Sequence, residues 1–183
     1  MIRLCDILLA LFGLVVTSPF LLIIAAFGLF DTGSPLFLQR RVGRGQRHFT
    51  LVKFRTMRVG SAQIATHLAD PSTITGFGRF LRRSKLDELP QLWNVLIGDM
   101  SLVGPRPCLP TQSELIAERA QRGVFAARPG ITGLAQVQGI DMSTPRLLAE
   151  TDQRMLSSLR LGDYLRFIVQ TVLGKGGGDR VRG

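Results

Sequence analysis

The sequence predicts a small mixed α/β (α+β) domain with an apolar membrane segment at its N-terminus. Three observations predict it. From Ile7 to Phe30 the chain carries no charge. Short β-like runs, turn signals and helix starts then follow one another in mixed order. Towards the C-terminus, apolar residues recur at helical spacing beside arginines.

The N-terminal run exceeds the ~20 apolar residues a helix needs to cross a bilayer. A signal peptide has a shorter core, ~7–15 residues, and ends at a small-x-small site; no such site follows here. Pro19 interrupts the run near its middle, in "VTSPFLL". It removes a backbone donor and disfavours helical geometry at Ser18. Two courses satisfy this pattern. One is a kinked spanning helix. The other is a pair of half-helices that dip into one leaflet and return, with Ser18 bonding the backbone groups freed at the break. Arg3 precedes the run, and Arg40, Arg41, Arg44 and Arg47 follow it. The positive-inside rule puts the C-terminal side in the cytoplasm.

After this segment, "PLFLQ" reads as a strand, "VGRGQ" as a turn and "HFTLVKFRTM" as a second strand, with Phe49, Leu51 and Lys53 on one face. "RVGRGQ" lacks the helix and spacing of a phosphate-binding glycine loop. Residues 61–70 predict a short helix, and "ITGFGRFLRRS" a turn into a basic amphipathic segment. Pro90 suits the first position of a helix "PQLWNVLI". Residues 112–126 are helical, with Leu115, Ile116, Arg119 and Val124 on a partly apolar face. "LAQVQ" reads as a short strand, and Thr144 caps a helix that Pro145 begins. A last helix spans 159–173. Its stripe of Leu161, Leu165, Ile168 and Val172 suits either core packing or a membrane interface, and an anchor upstream favours the interface. The expected organisation is a membrane segment over 1–30, a catalytic-sized domain over 31–174 and a frayed glycine-rich tail over 175–183.

A formal net charge of +10 implies a polyanionic partner: nucleic acid, an anionic membrane face or phosphorylated substrates. Cys5 and Cys108 are far apart and form no disulfide framework; His48 and His67 are isolated.

Against that basic background stands "KLDELPQLWNVLIGDMSLVGPRP", Lys85 to Pro107, with adjacent carboxylates Asp87 and Glu88. Acids before a helix are commonly just stabilising. Here Arg82 and Arg83 lie just upstream, Asp99 follows Gly98, and Arg106 sits in a proline-stiffened turn. Carboxylates for Mg²⁺ and arginines for phosphate oxygens are the parts phosphoryl transfer needs. A carboxylate can also be the nucleophile.

"KFRTM", "LDELPQLWNVLIGDMSLVGPRP" and "ARPGITGLAQVQG" together resemble the bacterial sugar transferases, and among them the small monotopic phosphoglycosyl transferases. The resemblance covers the chain from Ser18–Pro19 to about Gly174. It implies transfer of a sugar 1-phosphate from a UDP-sugar to undecaprenyl (polyprenol) phosphate, with release of UMP through a covalent phosphosugar-enzyme. It implies Asp87 as nucleophile, Glu88 as its partner in binding Mg²⁺ or handling the acceptor, and Arg82, Arg106 and Lys53 at the substrate phosphates. It implies a re-entrant membrane helix broken at Ser18–Pro19, on phospholipid at the cytoplasmic face of the bacterial inner membrane. Three positions depart from the family pattern: Lys85 replaces a serine, Ile140 and Asp141 replace an Arg-Asn pair, and Arg154 and Met155 stand where a tyrosine is expected. Arg146 is a candidate replacement for the missing arginine. The rival reading is a membrane-anchored nucleic-acid-binding or scaffold protein. The charge favours it, but no RNP-like run or aromatic-interleaved basic strand supports it, and no nucleic-acid partner is expected.

Overall fold

The computed structural model describes residues 2–61 and 70–175. Residues 62–69 of the helix expected over 61–70, His67 among them, and the tail beyond Lys175 lie outside the described residues.

Helix α1 runs over Ile2–Thr32 and leads into an antiparallel hairpin, β1 (Leu36–Val42) and β2 (His48–Phe54), with Leu36 opposite Phe54 and Val42 opposite His48. Leu51 and Lys53 are buried on one face of β2, and Phe49 packs on the core from the same face, as the alternation predicts. Helix α2 (Gly76–Ser84) starts at Thr75, whose hydroxyl accepts from the Gly78 amide. Helix α3 (Gln91–Ile97) follows, with Pro90 one residue earlier than expected, at the N-cap.

Strand β3 (Ser101–Val103) pairs in parallel with β4 (Gly130–Thr132). A Cβ on Gly130 would sit 2.0 Å from the Gly104 nitrogen, so only glycine allows these two segments to meet. Between them lies α4 (Ser113–Gln121), with Leu115 and Arg119 buried as its spacing predicts. After β4 come α5 (Leu134–Gln138), α6 (Pro145–Ser158) and α7 (Leu161–Val172). The strand expected at "LAQVQ" is the helix α5. Only Val137 in it is β-branched, and Gly139, at φ 72°, closes the helix by donating to Ala135 and Gln136 carbonyls. Thr144 precedes α6 as expected, but its hydroxyl bonds the Asp141 carbonyl and does not cap the helix.

Ser18 and Pro19 lie inside α1, with no non-helical residue between the two halves expected on either side of them. The perturbation is local. Pro19 cannot donate to the Val15 carbonyl four residues back, and the Ser18 hydroxyl donates to that carbonyl instead at 2.8 Å.

Both ends of α1 are tied to the rest of the fold. At its start, Arg3 donates to the Val95 and Leu96 carbonyls, covering the C-terminal end of α3. The buried Asp6 carboxylate accepts from the Ser101 hydroxyl, the Leu102 amide and the Tyr164 hydroxyl. At its end, Asp31 accepts from Thr75, Phe27 meets the Phe77 ring in a tilted contact, and Gly28 leaves room for Pro35. Between these ties the helix exposes large apolar side chains, among them Phe12, Phe20, Leu22 and Phe30.

Of the stripe on α7, Leu161, Leu165 and Val172 are exposed, whereas Ile168 packs on the core; the fully buried residue of that helix is Tyr164.

Candidate active site

The Asp-Glu pair lies on a single 3-10 turn, Leu86–Glu88, between α2 and α3. Lys85 makes that turn possible. It adopts the left-handed conformation, φ 58°, which ends α2 and reverses the chain. Leu86 then packs against Ile24 of α1, Phe54 of β2 and Leu81 of α2. The membrane helix therefore forms part of the floor under the dyad. Asp87 is 5% exposed.

Arg106 closes the other side. It follows β3 in the Gly104–Pro107 turn and donates to Glu88 Oε1 at 2.6 Å. The pair remains accessible, with side-chain exposures of 22% and 12%. The expected approach of Arg106 to the dyad is therefore present.

The turn carrying Arg106 is held from behind by two buried arginines that sequence reasoning did not connect to the site. Arg41 of β1 donates to the Pro107 carbonyl at 2.9 Å. Arg119 of α4 donates to the Arg106 carbonyl at 2.8 Å. Arg119 also grips Asp152 of α6 through Nε and Nη2, at 2.9 and 2.7 Å to one oxygen. The other Asp152 oxygen has no hydrogen-bond partner among the described residues. Burial pushes the Asp152 carboxyl up, and Arg119 opposes that shift. In the sequence, Arg41 reads as one of several flanking charges and Arg119 as one position of a helix face. The only signal was an arginine on an otherwise apolar face.

Arg82 and Lys53 stand on the elements flanking the dyad turn, α2 and β2. Arg82 Nε donates to the Thr56 hydroxyl at 2.9 Å, joining α2 to the "KFRTM" segment. A Cβ on Gly78 would fall 2.0 Å from the Thr56 carbonyl, so that glycine sets the close approach. Lys53 is buried, with its ammonium 5.6 Å from the centre of the Phe37 ring.

Lys85, the departure from the family pattern, is a further cation of the site. Its ammonium donates to the Lys175 carbonyl at 2.7 Å, bringing the chain just after α7 to the dyad. Burial pushes the Lys85 pKa down; Glu88 opposes this and Arg106 adds to it.

One expectation is corrected. Asp99 does not join the dyad; it lies at the far end of α3, accepts from Asn94 and lines a separate cleft with Arg44, Arg47, His48 and Arg128. Arg146 is exposed and pairs with Glu150 one turn on, at 3.0 Å. No group of three or more metal-binding side chains occurs among the described residues. The hard oxygens of Asp87 and Glu88 still fit Mg²⁺, which takes one or two protein carboxylates and completes its shell with water and substrate phosphate.

The family profile described as "Bacterial sugar transferase" matches residues 1–175. The chain belongs to this family. Among its relatives, a UDP-glucose:undecaprenyl-phosphate glucose-1-phosphate transferase of Xanthomonas campestris pv. campestris is 44% identical over 150 residues, covering 78% of this chain and 31% of the relative. A protein of the same name from Caulobacter vibrioides is 38% identical, covering 93% of this chain and 67% of the relative. A UDP-N-acetylgalactosamine-undecaprenyl-phosphate N-acetylgalactosaminephosphotransferase of Aeromonas hydrophila is 34% identical over 91% of this chain and 41% of the relative. The chain thus spans about a third of the Xanthomonas transferase's length and about two thirds of the Caulobacter one's. Within the bacterial sugar transferase family, these names differ in the sugar and agree on the undecaprenyl phosphate acceptor.

Proposed function

We propose that this chain transfers a sugar 1-phosphate from a UDP-sugar to undecaprenyl phosphate at the cytoplasmic face of the bacterial inner membrane. The observation that carries the proposal is the accessible Glu88–Arg106 pair beside Asp87, in a member of this family.

In the first step a carboxylate oxygen of Asp87 attacks the β-phosphorus of the UDP-sugar. The bond from that phosphorus to the bridging oxygen breaks, and UMP leaves with the oxygen. The product is an acyl phosphate carrying the sugar. In the second step a phosphate oxygen of the polyprenol attacks the same phosphorus, giving the polyprenyl diphosphate sugar and restoring Asp87. Arg106 and Arg82 hold phosphate oxygens in line, and Lys53 adds positive charge from β2. Glu88 orients Arg106 and receives the acceptor. Mg²⁺ bound at Asp87 and Glu88 would neutralise phosphate charge.

The membrane placement is monotopic. It is supported by the ties at both ends of α1, which hold Arg3 and Asp31 to one globular domain. A helix that crossed the bilayer would carry one of those ends away. Trp93 and Ile97 on α3, and Leu165 and Val169 on α7, are further exposed apolar side chains that could enter a lipid surface beside α1. No nucleic-acid partner belongs to this reading.

Turnover with a panel of UDP-sugars and undecaprenyl phosphate tests the reaction: UMP release is expected, and UDP release would overturn it. A cysteine added before Met1 tests the topology. It stays protected from an impermeant reagent in whole cells if α1 is re-entrant, and is labelled if α1 spans.

A further inference from the structure

A second basic site lies away from the dyad. A cleft of about 930 Å³ opens between α5, the C-terminal half of α6 and the start of α7. Arg154, Arg160 and Arg166 line it, with Val137, Leu159 and Phe167 among its apolar walls. Among the described residues, no carboxylate forms a salt bridge with any of these three guanidinium groups. Asp163 also lines the cleft, but its carboxylate turns to the Arg160 amide and caps α7. The cleft therefore holds three cations and one committed anion.

Its position on α7 indicates the ligand. At about 100° per residue, Leu161, Leu165, Val169 and Val172 form the exposed apolar stripe, and Arg166 follows about 60° further round. Tyr164, on the opposite flank of the stripe, is buried in the core. Arg166 thus borders the apolar stripe on the cleft side of the helix, and Arg160 and Arg154 line the same cleft from the helix start and from α6. The dyad is remote along this helix: its neighbour Lys85 holds Lys175, beyond the end of α7. About 16.5 Å of helix separates Leu161 from Val172.

We infer that this cleft binds the phosphodiester headgroup of an anionic phospholipid. Guanidinium groups fork onto phosphate oxygens, their aliphatic stems lie along apolar walls, and the apolar stripe puts the cleft at headgroup depth. Two of the three arginines, Arg154 and Arg160, precede the stripe, so bound lipid ties the α6–α7 corner to the membrane. The inference rests on the interfacial placement of α7 and not on the phosphoglycosyl reaction.

Native mass spectrometry of the full chain in detergent tests it, with dioctanoyl phosphatidylglycerol and dioctanoyl phosphatidylcholine as probes. The phosphatidylglycerol adduct is expected at about tenfold higher occupancy. The triple variant Arg154→Gln, Arg160→Gln, Arg166→Gln should abolish that preference. A charge-matched variant in the hairpin, Arg40→Gln, Arg44→Gln, Arg47→Gln, should keep it. Equal binding of both lipids, or equal loss in both triple variants, would overturn the site in favour of diffuse attraction. Displacement of the lipid by UMP would make the cleft a nucleotide site and overturn the proposal equally. Should the first triple variant fail to fold, hydrogen exchange of the unmutated chain decides. Phosphatidylglycerol should protect amides of residues 158–167 more than phosphatidylcholine does, and the absence of that difference would refute the inference. UMP release by the unmutated chain is read separately, so failure here leaves the reaction standing.

Discussion

Two arginine–carboxylate pairs meet at the same short turn and behave differently. The Arg106 side chain reaches Glu88 at an accessible surface, while the Arg106 carbonyl receives Arg119, which grips Asp152 in a sealed interior. Side-chain exposures are 22% and 12% for the first pair, against 2% and 0% for the second. The chemistry of the partners is the same. Burial separates them: the outer pair can exchange partners with an incoming phosphate, and the inner one cannot without leaving a charge in a dry environment. Arg106, the arginine of the candidate site, is thus held by its backbone, through a buried arginine, and not by its side chain alone.

The largest stability effect should come from the inner pair. Arg119→Met strands Asp152 and should lower stability by about 3–5 kcal/mol, read by denaturant unfolding. The loss should grow with pH. With Arg119 gone, burial raises the folded-state pKa of Asp152 above its unfolded value, so the folded state keeps a proton that the unfolded state releases. Stability is then highest below the unfolded pKa and falls as pH rises through the folded one. Glu88→Gln is the contrast, and its unfolding free energy should change by at most about 1 kcal/mol. An equal loss in both variants would erase the distinction between the pairs.

Next in size is Arg106→Lys. Lysine keeps the charge but loses the fork, so turnover should fall by about 10–100-fold, or ~1.4–2.8 kcal/mol, with the melting temperature unchanged. Full activity would reduce Arg106 to a surface contact. The smallest effect belongs to Lys85→Ser, which releases the Lys175 carbonyl but keeps the dyad and Arg106. A rise in KM of about threefold, under 1 kcal/mol, is expected at unchanged kcat. A large drop in kcat would move Lys85 from a positioning role into the chemistry.

The outer pair was legible in the sequence because its parts are local. Asp87 and Glu88 are adjacent, Arg106 sits in a proline-stiffened turn, and the motif joins them. The hairpin and α4 were legible for the same reason, through alternation and helical spacing. The inner pair was not. Arg119 and Asp152 are 33 positions apart, Arg41 and Pro107 66 apart, and Asp6 and Tyr164 158 apart. Nothing in residue type tells a solvated arginine from one that carries a turn. Asp99 is the converse case: it lies inside the motif in sequence, and the length of α3 carries it to another cleft. "LAQVQ" misled because a five-residue apolar-polar run fits either period, and the glycine cap at Gly139 decides it. Pro19 marks a disturbance in the sequence but does not reveal that the Ser18 hydroxyl supplies the Val15 carbonyl with the donor Pro19 lacks.

The central claim is that the outer site makes a covalent bond through Asp87. Incubation with a UDP-sugar labelled with ³²P in its β-phosphate, without acceptor, followed by acid quench and peptide mapping, tests it most directly. Label is expected on the peptide containing Asp87, with discharge of that label on adding undecaprenyl phosphate and no label in Asp87→Asn. Near-normal turnover by Asp87→Asn, or label retained on another residue, would contradict it.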